Sequence, residues 1–227
     1  GYSLNVTETI QECDEEDEED QLNLITDIQL EGAHHGDADF VEASINATEQ
    51  LTDDQVETCY ADGAYNRSLA REEDEDLGHV EMVLSGIQGA SSRFDLHQTE
   101  DGLQVTDTQT DQVYEGIPVQ RRDPDGEPKW RIRLPSGAYR YFDQRAIRAS
   151  QQRARLDEQA YRERTKKRNN VEATIYHLSH RLRQGKTVYR GLMRTKLWAW
   201  GRALWVNLRR IQRYMQNQGN NALQQAG

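Results

Sequence analysis

The sequence predicts an α/β protein with a β-rich segment inside it and a helical C-terminal part. Three observations carry that expectation. Period-two alternation recurs near the N-terminus between helix-like segments, short β-like pieces alternate with Asp-Gly and Ser-Gly dipeptides in the middle, and helical texture runs to the end. The chain has 227 residues, 35 % hydrophobic and 30 % charged, a low apolar content that its four Trp, ten Tyr and three Phe keep above that of a disordered chain. No window approaches ~18 apolar residues, so no membrane span is expected.

Tyr2 to Thr7 alternates as a strand does, and Leu22 to Leu30 is a second strand. Between them Glu12 to Asp20 is an acidic run too self-repelling to pack, expected as a solvated hairpin tip. Phe40, Ala43 and Ala47 mark a helix over Asp39–Gln50, capped by Asp37 or Asp39. A short strand, Val56–Ala61, runs into Asp62-Gly63; a polar helix is expected over Asn66–Asp76 and a strand over His79–Ile87. From about Gly89 to Phe142 the pieces Leu103–Thr106, Val113–Val119, Trp130–Leu134 and Tyr139–Phe142 predict hairpins. Helices are then expected over Gln144–Lys167, Asn169–Arg183 and Tyr189–Gln216, with a frayed tail. The expected organisation is therefore a core over 1–88, a β-rich insertion over 89–143, a helical completion over 144–216 and a disordered tail over 217–227.

The net charge of -11 conceals a split. Residues 1–120 hold 31 acids and three bases, a net −28, whereas residues 121–227 hold 25 bases and eight acids, a net +17. A basic half of this kind suits a nucleic-acid partner. Arg outnumbers Lys 23 to 5, and an acidic, Lys-poor surface suits molar salt, where the Debye length falls to ~3 Å and self-repulsion is tolerated. The two cysteines, Cys13 and Cys59, make no disulfide framework, which favours a reducing cytoplasm.

Three stretches could carry chemistry. Asp62 stands at the C-terminal end of a strand and before a glycine, where open α/β sheets form ligand crevices, though Asp-Gly is also a routine turn. Glu172 flanks the stripe Val171, Ile175, Leu178 and Leu182, so a half-buried carboxylate beside the core is expected; a dipole-stabilised surface Glu is the plain alternative. In the last helix Met193, Leu197, Leu204, Leu208, Ile211 and Met215 form one stripe, expected as core. Trp198, Arg202, Trp205, Arg209 and Arg213 form a second, able to track a phosphate backbone or to serve as a solvated face. His34-His35, His177/His180 and the cysteines lack metal-ligand spacing, and no phosphate loop or nucleophile motif is present.

Taken together, Gly1-Tyr2-Ser3-Leu4-Asn5-Val6-Thr7-Glu8, Tyr60-Ala61-Asp62-Gly63-Ala64-Tyr65, Arg168-Asn169-Asn170-Val171-Glu172, Lys186 to Leu192 and Trp198 to Ile211 resemble the C-terminal part of the catalytic domain of a DDE-type transposase from a prokaryotic insertion sequence, with a haloarchaeal cast of composition. The resemblance implies a ribonuclease-H-like core, a mixed five-stranded sheet with flanking helices, here interrupted by the β-rich insertion. It implies three carboxylates holding two Mg²⁺ (or Mn²⁺) ions; Asp62 matches the second and Glu172 the third. The family's first Asp lies on a strand before the Gly-Tyr-Ser segment, outside this sequence, so a truncated copy is expected, either active or an inactive remnant that only binds DNA. Arg168 matches the Arg of the family's Tyr–Arg–Glu–Lys signature, while Thr165 and Ser179 stand at the Tyr and Lys positions. The implied partners are double-stranded DNA, both transposon ends and target, met by Arg168, Arg190, Trp198, Arg202, Trp205, Arg209 and Arg213, and a second copy in a homodimeric DNA complex.

Overall fold

The structure, a computed structural model, describes residues 1–10, 21–65, 79–87, 92–99, 102–120, 126–180, 182 and 187–225. It divides into two compact units, Gly1–Leu84 with Thr165–Gly227, and Ser85–Arg164. The acidic run with Cys13 and the helix expected over Asn66–Asp76 lie outside the described residues.

In the first unit, β1 (Tyr2–Glu8) and β2 (Ile25–Gly32) pair antiparallel, Tyr2 opposite Gly32 and Thr7 opposite Asp27, with an irregularity after Thr7. Helix α1 (Val41–Thr52) packs on β2. The expected Asp cap is not made: a 3-10 turn, Asp37–Phe40, runs straight into the helix and puts Phe40 at its N-cap. Hydroxyls line the buried face of α1. Thr48 Oγ1 lies 2.8 Å from Thr26 Oγ1, and Ser44 Oγ accepts from the amides of Asn5 and Gln29, each at 2.9 Å, so the polar groups are satisfied as burial requires.

A separate pair, β3 (Thr58–Ala61) and β4 (Glu81–Leu84), runs parallel, with Ala61 opposite Leu84. Among the described residues the unit therefore carries two two-stranded sheets.

Helices α4 (Asn169–Ser179) and α5 (Leu192–Gln225) complete the unit. Helix α5 lies on β2 and buries Thr195, Ala199 and Ala203, whose small side chains allow close approach; Ile25, Ile28 and Leu178 complete that core, with Trp198 and Val206 at its edge. The amide of Asn207 closes both backbone groups of Ile25, accepting its N–H at 2.9 Å and donating to its carbonyl at 2.8 Å. Lys196 pairs with Glu31 at 3.0 Å from the same side.

Three expectations are corrected here. Met193, Leu197, Leu204, Leu208 and Met215 are exposed, not core. Two apolar faces compete for the sheet, and the alanine face wins because Asn207, Lys196 and Arg210 bind on its side. In α4 the buried residues are Thr174 and Leu178, while Ile175 is exposed. Helix α5 also runs to Gln225 instead of fraying after Gln216.

The second unit is an antiparallel meander: β5 (Phe94–Thr99), β6 (Gly102–Asp107), β7 (Gln112–Val119), β8 (Lys129–Arg133) and β9 (Tyr139–Phe142), in that spatial order. The β-rich expectation holds, with β5 added. The Ser136-Gly137 turn is made as its sequence demands, Gly137 taking φ +84° and donating to the Leu134 carbonyl at 2.8 Å. Phe94, Leu96, Leu103, Val105, Ile132 and Phe142 face Ile147 of α2 (Gln144–Asp157). Asp143 caps α2, accepting from Ala146 N–H at 2.9 Å. Ser150 Oγ of α2 accepts the outward N–H of Leu96 on edge strand β5 at 2.7 Å. Residues 144–164, expected to complete the core as one Arg-rich helix, belong with this sheet instead and break between α2 and α3 (Gln159–Thr165).

Candidate metal centre

Strand β3 ends on buried Ala61, and the chain turns at once. Asp62 Oδ1 accepts from Ala64 N–H at 2.7 Å, and Tyr65 N–H returns to the Asp62 carbonyl at 3.2 Å. This local Asx-type turn uses one carboxylate oxygen and leaves Oδ2 facing outward.

Opposite stands the entry to α4. A 3-10 turn, Lys166–Arg168, sits beside β3, and Lys167 Nζ lies 5.5 Å from the centre of the Tyr60 ring, a cation–π contact between the two segments. Arg168 Nη2 lies 2.7 Å from Glu172 Oε1 and 3.7 Å from Asp62 Oδ2. One guanidinium nitrogen thus joins the two carboxylates, whose nearest oxygens are no further apart than the two separations together, about 6.4 Å. Glu172 occupies the first turn of α4, where the helix dipole favours a negative charge.

The two acids are open to solvent, Asp62 at 42 % and Glu172 at 52 %, while Arg168 is 25 % exposed. Glu172 is therefore not the half-buried group its wheel position suggests, because α4 turns Thr174 and Leu178 to the core. Arg168, expected at DNA, bridges the two acids here. Its i,i+4 spacing to Glu172 is the signal that reveals this pairing.

A hard divalent cation accepts carboxylate oxygens and keeps several waters. Asp62 and Glu172 fit one such ion by donor type, in the place Arg168 holds between them. A two-ion centre is not fitted: among the described residues no group of three His, Cys, Asp or Glu side chains gathers. Glu8 is committed elsewhere, its carboxylate bound by Arg210 and Thr174.

The expected DNA-facing residues divide. Arg202 stacks on Trp198, 5.6 Å from the ring centre, and donates to the His180 carbonyl, while Trp198 packs on the core. Both serve the fold. Arg190, Trp205, Arg209 and Arg213 are exposed. The bases Arg145, Arg148, Arg153, Arg155 and Arg164 belong to the second unit. No helix among the described residues is long and apolar enough to cross a membrane.

No protein-family model, no curated protein and no solved structure matches this chain.

Proposed function

We propose that this chain is the catalytic segment of a DNA strand-transferring enzyme of the DDE transposase type. One observation carries the reading: Asp62 and Glu172, 110 positions apart in sequence, meet at the nitrogen of Arg168. A carboxylate at a strand end and another in the first turn of a late helix are the second and third positions that the resemblance implies.

The sheets support the same reading. The resemblance implies five strands, and the first unit offers four, as an antiparallel pair and a parallel pair. Tyr65 OH donates to Asn5 Oδ1 at 2.8 Å, so the turn after β3 lies against β1. One added strand, paired to β1 on one side and β3 on the other, turns the two pairs into a five-stranded mixed sheet. Two-stranded sheets are marginal alone, and the edges of β1 and β3 are where such a strand gains most. In this reading it carries the first of the three acids.

A divalent ion, when bound, activates a water or 3′-hydroxyl and stabilises the leaving oxygen of the phosphodiester. The chain's own residues do the rest. Asp62 and Glu172 offer oxygens, and Arg168 stands between them and offsets their charge until an ion takes that place. Arg190, Arg209 and Arg213 meet phosphates. Trp205 supplies apolar contact that salt does not screen, which matters for a protein whose composition suits molar salt. The competing reading, a remnant that binds DNA without cutting it, draws on the absence of a third acidic donor among the described residues.

The test is a titration of a labelled duplex with the full chain across a potassium chloride series. Each phosphate neutralised adds ~0.9 to the slope of log affinity against log salt. A slope of about 3 that falls by about 2 in Arg209→Ala/Arg213→Ala is the expected result. A flat slope, or no binding at low salt, overturns the DNA reading.

A further inference from the structure

Helix α5 has two apolar faces and the fold uses one. Thr195, Ala199 and Ala203 are buried against the sheet, while Met193, Leu197, Trp200, Leu204, Leu208 and Met215 are 50–71 % exposed. With Ile211 these seven recur at spacings of 4, 3, 4, 4, 3 and 4, two consecutive eleven-residue periods. At 3.67 residues per turn the stripe stays on one side of the helix for its whole length of about 33 Å. A helix that is apolar on both sides is ordinarily covered on both.

We propose that a second copy of this chain covers this stripe, antiparallel, about a two-fold axis at Leu204. The spacing reads the same from either end. Turned end for end about Leu204, the helix sets Met193 opposite Met215, Leu197 opposite Ile211, Trp200 opposite Leu208, and Leu204 opposite itself. A two-fold interface needs that self-complementarity, in which i meets j and j meets i.

Charge selects this arrangement over the parallel one. Residues 192–225 hold six bases and no acid. Lys196, Arg202 and Arg210 are engaged within their own unit, by Glu31, the His180 carbonyl and Glu8. Of the three that remain, Arg194 flanks the stripe, and in a parallel pair it falls beside its own copy. About the Leu204 axis it falls opposite Tyr214 instead, while Arg209 and Arg213 lie on the side of the helix away from the stripe. The exposed parts of the seven side chains come to roughly 800 Å² per copy, the share each partner gives to a standard interface. This pairing needs no DNA, and it stands whether or not the strand-transfer reading does.

The test is run without DNA: the full chain is followed by light scattering after size exclusion at about 1 to 100 μM, which reaches the weak end of the affinities that interfaces of this size show. A dimer is expected, and Leu204→Arg, which sets two guanidinium groups on the axis, weakens it about a hundredfold, as loss of a central anchor does, with its far-ultraviolet circular dichroism unchanged. Orientation is read separately in a Cys13→Ser/Cys59→Ser background under mild oxidation. Leu204→Cys cross-links to itself, and Met193→Cys cross-links to Met215→Cys but not to a second Met193→Cys. A monomeric wild type, a dimer indifferent to Leu204→Arg, or a Met193→Cys self-cross-link overturns the proposal.

Discussion

Arg210 of α5 reaches the buried carboxylate of Glu8 at the end of β1, Nη1 to Oε2 at 2.8 Å. The same oxygen accepts Thr174 Oγ1 at 2.6 Å, so one acid ties β1, α4 and α5 together. Its second oxygen, Oε1, is buried with no protein partner.

That arrangement makes Arg210 expensive to lose. Removing one member of a buried pair leaves the other charge uncompensated, at about 3–5 kcal/mol. Arg210→Ala is expected to lower the unfolding free energy obtained from urea titration by that amount. Glu8→Gln, which discards the buried charge and leaves a guanidinium with access to water, is expected to cost distinctly less. Equal losses, or a loss under about 1 kcal/mol for Arg210→Ala, count against the clamp.

In β3, burial pushes the Cys59 thiol up to about 11, because desolvation disfavours the charged thiolate. In the folded protein the neutral thiol is the favoured form. Its contribution to stability is full below the unfolded value near 9 and is lost as pH rises through the folded one. With Cys13 replaced by Ser, alkylation of Cys59 by iodoacetamide at pH 8 is expected to run about a hundredfold slower in the native chain than in urea. Equal rates contradict this burial.

In the second unit, hydrogen bonds from the Arg93 guanidinium hold Asp107 down to about 2, against the opposing effect of burial and with help from the Gln109 N–H. A depressed carboxyl stabilises the fold fully above its unfolded value near 4, and that stability drains away as pH falls from there towards 2. Acid unfolding of a chain that keeps Trp130 as its one tryptophan, a neighbour of the core of this sheet, should depend less steeply on pH in that window in Asp107→Asn. A variant that still loses stability with the wild-type profile excludes this pair as the source.

Strands and turns were legible because their signals are local. Alternation in Tyr2–Thr7 and the Ser136-Gly137 dipeptide act over a few residues, and the structure keeps both. Helix faces were not. Bulk and apolarity mark Met193, Leu197 and Leu204 as core, yet the sheet takes Ala199 and Ala203, a choice made by distant partners such as Ile25 and Glu8 that no window along α5 contains. The site divides in the same way. The meeting of Asp62 with Glu172 came from a resemblance and not from spacing, and Arg168 was readable only as a neighbour of Glu172. The break in the Arg-rich helix after Asp157 carries no Gly or Pro to announce it.

Mn²⁺ binding to the full chain, followed by the loss of the free-ion electron paramagnetic resonance signal, tests whether Asp62 and Glu172 form one cation site. Saturable binding of one ion that competes with Mg²⁺ is expected, weakened about tenfold or more in Asp62→Asn and in Glu172→Gln, equivalent to about 1.4 kcal/mol each. Binding is expected to tighten in Arg168→Ala, where the guanidinium no longer occupies the space between the acids. Binding that neither acid substitution changes, or none that saturates, would contradict it.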